Sequence, residues 1–228
     1  AVTVVMGYAN PDFAIMLSDR KVTCVGDLGS YEEKKLIDIP GYGWFSGAGH
    51  GHFLNDFKNI LRISKSLNTV ERMVDCFGFV GKKYLNQDAE NKALIQNTVG
   101  MLAAMSLEHA DQIDAEKPEP FGRIIVLSYF DGIPRHWYIE HNRIQILYPC
   151  DVLNKPEFVK DLEEKYHVDC VEGNIQEIII HMLKLAREIA AASEYVSSVC
   201  DIGVVRREAD GWNHYEDLCN LINLPEAI

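Results

Sequence analysis

Three residues in the first part of the chain could together support nucleophilic chemistry. A hydroxyl at Thr3 is followed by a carboxylate at Asp19 and an ammonium at Lys35. A hydroxyl nucleophile needs a base, and a free N-terminal amine, with an ordinary pKa of about 7.7–8.0, can act as one. A lysine buried beside an aspartate also lowers the cost of forming an alkoxide. The start of the chain is therefore a candidate part of an active site.

The elements that must position these groups are short strands. Residues 2–9 and 13–17 are apolar almost throughout, and the Asn, Pro and Asp between them are turn residues. Two apolar runs joined by a tight turn predict a hairpin that is buried on both faces. Lys35 begins a second, shorter pair of strands over residues 35–39 and 43–46. A glycine-rich turn at residues 46–49 then leads into a helix with apolar residues at helical spacing.

Groups of helices and strands alternate along the rest of the chain. Asn68 is the expected cap of a helix, because Glu71 follows it three residues later. Further helices are predicted over residues 90–109, 156–166 and 175–190. Further strands are predicted over residues 123–129, 136–140, 143–148, 200–206 and 212–216.

This element order predicts an α+β fold, a four-layer αββα sandwich in which two antiparallel sheets stack between helical layers. No linker or shift in composition divides the chain, so we expect a single domain over residues 1–228.

Composition narrows the class of protein. The net charge of −12 disfavours a nucleic-acid partner, which would need a basic surface. The six cysteines are far apart and include no C-x-x-C pair, which favours free thiols in a reducing compartment. The sequence shows neither a signal-peptide pattern nor an apolar run of membrane-spanning length, so we expect a soluble, cytoplasmic protein without a membrane partner.

Four segments in order carry a resemblance to a known family. They are Ser18-Asp19-Arg20-Lys21, Lys34-Lys35-Leu36, Phe45-Ser46-Gly47, and last Ala192-Ser193-Glu194-Tyr195-Val196-Ser197 followed by Asp201-Ile202-Gly203-Val204-Val205. In order and approximate spacing the chain resembles the proteasome β-subunit family and its bacterial relatives, the N-terminal nucleophile hydrolases.

That resemblance implies a threonine-peptidase-type amidohydrolase that cleaves peptide amide bonds in peptides or proteins. It implies that Asp19 and Lys35 activate the nucleophile and that Glu194 and Ser197 support the amine. The N–H of Gly47 would bind the oxyanion, a donor typically worth about 3–4 kcal/mol. The resemblance calls for no metal or organic cofactor, and it implies a ring-type homo-oligomer.

The first residue departs from the family pattern, which starts with Thr, Ser or Cys, whereas this chain starts with Ala1. Two registers fit. If Ala1 holds the nucleophile position, the reactive hydroxyl is missing. If Thr3 holds it, the spacings to Asp19 and Lys35 match the family without gaps, and Ala1-Val2 is a remnant that blocks the amine. Side chains two residues apart in a strand point to the same face, so the alternation of side chains fits both registers.

Other interpretations compete with hydrolysis of peptides. The main rival is a non-catalytic scaffold or partner-binding subunit, which the alanine at position 1 favours. An amidase acting on small molecules fits the element order less well. His50 and His52 could suggest a metal site, but polar residues at the start of a helix are the better interpretation. Cys24 is expected to be a structural cysteine, since no partner for a thiol nucleophile can be assigned to it.

Overall fold

A computed structural model of the chain describes residues 3–23, 29–39, 42–64, 66–67, 69–104, 122–208 and 211–221. Within them the chain is an α+β protein with antiparallel sheets and helices. The strands are, in chain order, β1 Val5–Ala9, β2 Phe13–Asp19, β3 Lys21–Thr23, β4 Ser30–Glu32, β5 Ile37–Ile39, β6 Gly43–Ala48, β7 Val99–Ala104, β8 Arg123–Ser128, β9 Arg135–Ile139, β10 Gln145–Leu147, β11 Val199–Glu208 and β12 Gly211–Asn220. The α-helices are α1 Gly51–Ile63, α2 Val70–Gln87, α3 Lys92–Gln96, α4 Cys150–Leu153, α5 Pro156–Tyr166 and α6 Ile175–Ala192.

Two sheets of five strands form the centre of the fold. The first sheet has the order β10-β1-β2-β11-β12, and the second has the order β5-β6-β7-β8-β9. Every neighbouring pair in both sheets is antiparallel. A short ribbon of β3 and β4 lies apart from them. The predicted hairpin of β1 and β2 is confirmed, with Val5 opposite Ser18 and Ala9 opposite Ala14.

The buried apolar side chains form three clusters. Successive side chains of a strand point to opposite faces of its sheet, so one strand contributes to two clusters. In β1, Met6 and Tyr8 pack into the first cluster with side chains of α5 and α6. Val5 and Ala9, which point the other way, join a second cluster with side chains from β6, β7 and β8. A third cluster lies between the second sheet and α1 and α2. The two sheets therefore share one core, and each sheet has a further core with its own helices.

Close packing between the sheets depends on a glycine. A Cβ built at Gly203 in β11 would lie 2.4 Å from the indole Cδ2 of Trp44 in β6. No side chain fits at that distance, so glycine allows the indole of one sheet to lie against the backbone of the other.

The helices begin where local chemistry favours them. Asn174 and Glu177 form a capping box at α6, with side-chain to backbone distances of 3.0 and 2.9 Å. Helix α2 starts after Thr69, whose hydroxyl accepts from the N–H of Arg72. The predicted cap, Asn68, lies outside the described residues, and the observed start is one residue later than expected.

The predicted helix over residues 90–109 is wrong within the described residues. That region contains the short helix α3 and then β7, a central strand whose residues are almost all buried. A continuous apolar run looks the same in a buried strand and a buried helix, so periodicity could not separate them. The predicted strand over 143–148 is present as β10, but it pairs with β1 of the first sheet.

Two further findings concern membrane-spanning helices and the state of the cysteines. None of the helices in the described part of the chain has both the length and the apolar character that crossing a bilayer requires. Five of the six cysteines are free thiols. The sixth, Cys24, lies outside the described residues, as does Ala1.

Candidate active site

The hydroxyl of Thr3 lies between an ammonium and a carboxylate. Lys35 Nζ donates to Thr3 Oγ1 over 2.8 Å, and the hydroxyl itself donates to Asp19 Oδ1. Lys35 Nζ is also 3.3 Å from the same carboxylate oxygen. The three groups that the sequence predicted to act together therefore form one hydrogen-bonded cluster. A hydroxyl held this way has its proton directed at an acceptor and a positive charge beside its oxygen.

Asp19 is held by the backbone as well as by side chains. Its Oδ1 accepts from the N–H of Val4 at 3.2 Å, and its Oδ2 accepts from the N–H groups of Lys21 and Ser197, each at 3.1 Å. The carboxylate is fully buried, at the end of β2 beside the start of β1. Buried carboxylates need such partners, because an unpaired buried charge is strongly destabilising. These bonds fix the orientation of the carboxylate towards Thr3.

Lys35 precedes β5 and is largely buried, with 13% of its side chain exposed. Burial lowers the pKa of its ammonium, and the charge of Asp19 and its hydrogen bond partly offset this effect. A lysine in this state can stabilise a developing negative charge on the neighbouring oxygen.

Thr3 and Lys35 line a cavity of about 490 Å³. Gly47, at the end of β6, lines it too, and so does Gly49, which joins β6 to α1 with φ +129°. The sequence pointed to Gly47 as the oxyanion donor. The structure adds Gly49 as a second candidate, because both backbones border the cavity that Thr3 lines.

The turn after α6 contributes to the cluster through its backbone. The N–H of Ser197 reaches Asp19, whereas its hydroxyl donates to Glu32 at 2.7 Å. Glu194 is exposed, and a hydrogen bond to its carboxylate raises the pKa of Tyr195. The structure therefore connects Ser197 to the site through Asp19 and gives the carboxylate of Glu194 a different partner.

Asp151 in α4 is a supporting residue that sequence reasoning missed. Its carboxylate accepts from Ser193 Oγ at 2.8 Å and from the N–H of Glu194 at 3.1 Å. Lys21 adds a second contact to this turn, because its ammonium donates to the carbonyl of Glu194. Asp151 follows a Pro-Cys pair at the start of α4. From the sequence it could be recognised only as an acidic residue in the first turn of a helix.

A partly buried ion pair joins the end of β2 to the neighbouring strand β11. Arg20 Nε and Nη2 donate to the two carboxylate oxygens of Asp201 at 2.8 and 2.7 Å. Asp201 lies in β11 with 1% of its side chain exposed. Two parallel hydrogen bonds to a buried carboxylate define geometry well, so this pair fixes the end of β2 relative to β11.

Lys58 also borders the cavity and was missed by the sequence analysis. Lys58 in α1 is only 8% exposed, although lysines are rarely this buried. The sequence did contain a signal, since Lys58 is four residues after Leu54 and three before Leu61. Those two leucines belong to the buried stripe of α1, so helical spacing put the lysine on the same face.

Lys58 should make the stability of the protein depend on pH. Burial lowers the pKa of its ammonium from 10.5 to about 8, helped by repulsion from Lys35. The unfolded chain therefore binds this proton more tightly than the folded chain, so stability rises with pH between about 8 and 10.5. Below pH 8 the penalty is fully present, and the pKa difference corresponds to about 3 kcal/mol at most.

Lys58→Met is accordingly expected to raise the free energy of unfolding at pH 7 by about 1–3 kcal/mol. Urea unfolding at pH 7, 8, 9 and 10 measures it, and the gap between variant and wild type should narrow as pH rises. Lys83→Met, which removes a more exposed lysine paired with Asp56, is the matched control. Parallel stability curves for wild type and Lys58→Met over this pH range would contradict the expectation.

The histidines near the cavity have structural contacts. His50 caps α1 by accepting from the N–H of Phe53 at 3.2 Å, and its Nε2 is 3.0 Å from Asp88. In the described part of the chain no three His, Cys, Asp or Glu side chains are grouped so that they could hold a metal ion. His52 borders the same cavity.

Comparison with known proteins adds information about the fold. No protein-family model and no curated protein matches the chain. Among solved structures, a mutant of Anbu from Hyphomicrobium sp. strain MC1 is similar, with a TM-score of 0.65 and 14% identity over 97% of this chain and 92% of that one. Anbu from Yersinia bercovieri, described as an ancestral beta-subunit, has a TM-score of 0.62 and 12% identity over 93% of this chain and 86% of that one.

These neighbours correct the family that the sequence suggested. They are Anbu proteins, which form a distinct though related family, so the assignment to proteasome β subunits as N-terminal nucleophile hydrolases is wrong. At identities of 14% and 12% the likeness shows the fold alone. The fold is proteasome-like in the coarse sense that its neighbours include an ancestral beta-subunit.

Proposed function

We propose that this protein is an amide-bond hydrolase of the threonine-peptidase type, with the hydroxyl of Thr3 as the nucleophile. The observation that carries the proposal is the contact of Lys35 Nζ with Thr3 Oγ1 at 2.8 Å, while the same hydroxyl donates to Asp19. The proposed substrates are peptides or proteins. The cavity next to Thr3, of about 490 Å³, is large enough for a side chain of such a substrate.

The same contacts support Thr3 over Ala1 as the nucleophile position. Thr3 reaches both predicted partners without any shift of the hairpin register, in which Val5 pairs with Ser18. Ala1 lies outside the described residues, and alanine has no hydroxyl to activate. In our proposal the reactive form of the chain begins at Thr3, since its nitrogen is then an amine that can accept a proton.

The reaction follows from these positions. Thr3 Oγ attacks the carbonyl carbon of the substrate and transfers its proton to the Thr3 amine, while Lys35 offsets the charge on the oxygen. The amine then passes the proton to the leaving nitrogen as the C–N bond breaks, which leaves an ester on Thr3. Water attacks that ester with the same amine as base, and Thr3 and a carboxylic acid product are released.

The negative charge of the tetrahedral intermediate needs a donor on the other side of the substrate carbonyl. We assign this role to a backbone N–H at Gly47 or Gly49, because both border the cavity with Thr3. A donor already in place contributes more here than in water, since it does not need to reorganise during the reaction.

Finer features of the fold belong to the same proposal. The three buried clusters support a four-layer sandwich of helices, two sheets and helices. The coverage of the chain by its neighbours supports a single domain over residues 1–228. The description of one neighbour as a beta-subunit supports a homo-oligomer. The cytoplasmic location stays a prediction from the sequence.

Covalent labelling tests the function. N-terminal sequencing of the native protein, together with labelling by a β-lactone or epoxyketone probe, reports the first residue and the reactive one. We expect an adduct on Thr3, identified by mass spectrometry of the N-terminal peptide, and we expect Thr3→Ala to lose it completely.

Thr69→Ala is the matched control, because Thr69 is also a buried threonine but caps α2 and is not among the described residues that line the cavity. That variant should keep the adduct at the cost of about 1 kcal/mol of stability. The absence of any adduct on folded protein that begins at Thr3 would favour the non-catalytic scaffold.

A further inference from the structure

Lys58 is a buried cation that the proposed hydrolysis does not use. It lies on the apolar face of α1, borders the cavity that contains Thr3, and is 8% exposed. Within the described ranges its ammonium has neither a hydrogen bond nor an ion pair. The charges that act on it at longer range are Lys35, Glu33 and Arg62, and two of these three repel it. A charge retained at such a site has an energetic cost that a bound anion would remove.

The other lysines that border the cavity already have acceptors. Lys35 donates to Thr3 and Asp19, Lys34 pairs with Glu216, and Lys21 donates to the carbonyl of Glu194. Lys58 differs from all three, since no acceptor among the described residues is assigned to it. It is therefore the cation most able to bind an incoming group.

The acidic residues around the cavity leave this charge uncompensated. Asp88 is occupied by His50 and Asn91, at 3.0 and 2.9 Å. Glu33 is exposed and interacts with Lys35 as well as with Lys58. Two of the four lysines that line the cavity are paired with Asp19 and Glu216, and Lys21 donates to a carbonyl, which leaves Lys58 without an acceptor among the described residues. A buried cation without an acceptor favours an anionic ligand.

We propose that Lys58 is a specificity-determining residue that binds the carboxylate of an acidic side chain in the substrate, next to the bond that Thr3 cleaves. This inference rests on the proposed function, because the neighbouring nucleophile is what makes the cavity a substrate site. A carboxylate seated here would accept a charge-assisted hydrogen bond from the ammonium. The preferred substrates are then peptides with glutamate or aspartate at the cleaved residue.

Equilibrium binding tests this inference without requiring hydrolysis. The full chain carrying Thr3→Ala is titrated by calorimetry with N-acetyl-Ala-Ala-Glu amide and with its glutamine twin, which has the same shape without the charge. We expect the glutamate peptide to bind about tenfold more tightly. Adding Lys58→Met should bring the ratio of the two dissociation constants close to one.

Lys34→Met in the same background is the matched control. It removes an equal charge from the cavity lining, but that charge is already paired with Glu216, so the preference for glutamate should remain. Unfolding curves for each variant verify that all of them fold.

A ratio that Lys58→Met leaves unchanged, equal binding of the two peptides, or binding of neither peptide would overturn the assignment. Failure of the proposed function has a different signature: the glutamate preference would persist, while the β-lactone probe would leave Thr3 of the unsubstituted chain unmodified.

Discussion

Replacing Lys35 with methionine is expected to lower kcat/KM for amide hydrolysis about 100- to 1,000-fold, because a pre-positioned donor to a developing charge is typically worth about 3–4 kcal/mol. Methionine is close to lysine in length and fills the same buried space without the charge. Its side chain cannot donate to Thr3 Oγ1, the contact that measures 2.8 Å in the structure. The loss should fall mainly on kcat, since the ammonium acts on the nucleophile rather than on the substrate.

The variant should still fold, because Asp19 keeps its backbone partners. The N–H groups of Val4, Lys21 and Ser197 continue to bind the carboxylate after the ammonium is removed. Losing one partner of a partly buried pair should lower the free energy of unfolding by about 2–3 kcal/mol, which urea unfolding measures. This separates a catalytic defect from a collapse of the site.

The neighbouring residue provides the control. Lys34→Met removes the same charge from the same segment, but Lys34 pairs with Glu216 and has 43% of its side chain exposed. Its effect on hydrolysis should be less than about threefold, as is usual for an exposed ion pair. If Lys34→Met and Lys35→Met lowered kcat equally, the special role of Lys35 would be disproved.

The parts of the site that the sequence predicted are those set by local rules. The hairpin of β1 and β2 follows from two apolar runs and a turn, and its register brings Asp19 beside Thr3. The position of Lys35 could be predicted only as a spacing along the chain. Its contact with Thr3 depends on the segment between β4 and β5 returning to the start of β1, which no pattern within the segment encodes.

Most of the features that the sequence did not predict depend on tertiary contacts. Asp151 and Ser193 are 42 residues apart, and nothing in either segment predicts their hydrogen bond. Strand β7 was predicted as helix because both of its faces are buried, which removes the alternation that marks a strand. Lys58 is a different case, since its place in the apolar stripe was readable from the spacing. A charged residue at a core position of a helix points to a functional role, and Lys58 was not singled out in the sequence analysis.

The second large effect concerns the nitrogen of Thr3. A chain that begins at Thr3 is expected to hydrolyse amides at least about 100-fold faster than the same chain with Ala1-Val2 attached, because general-base catalysis contributes about 10²- to 10⁴-fold. With Val2 attached that nitrogen is an amide, which cannot accept a proton at neutral pH. As a free amine it has an ordinary pKa of about 7.7–8.0, so it can accept a proton near neutral pH.

The pH profile identifies the base. For the chain that begins at Thr3, kcat/KM should rise with pH up to the pKa of the amine, because only the neutral amine accepts the proton. Enzymatic acetylation of that amine, verified by intact mass, should return the rate to that of the longer chain.

Equal rates for the two chains would exclude the amine as the base. Proton transfer would then fall to Asp19, which already accepts the hydrogen bond of the Thr3 hydroxyl. The profile would follow a carboxylate, and Asp19→Asn would abolish hydrolysis in both chains.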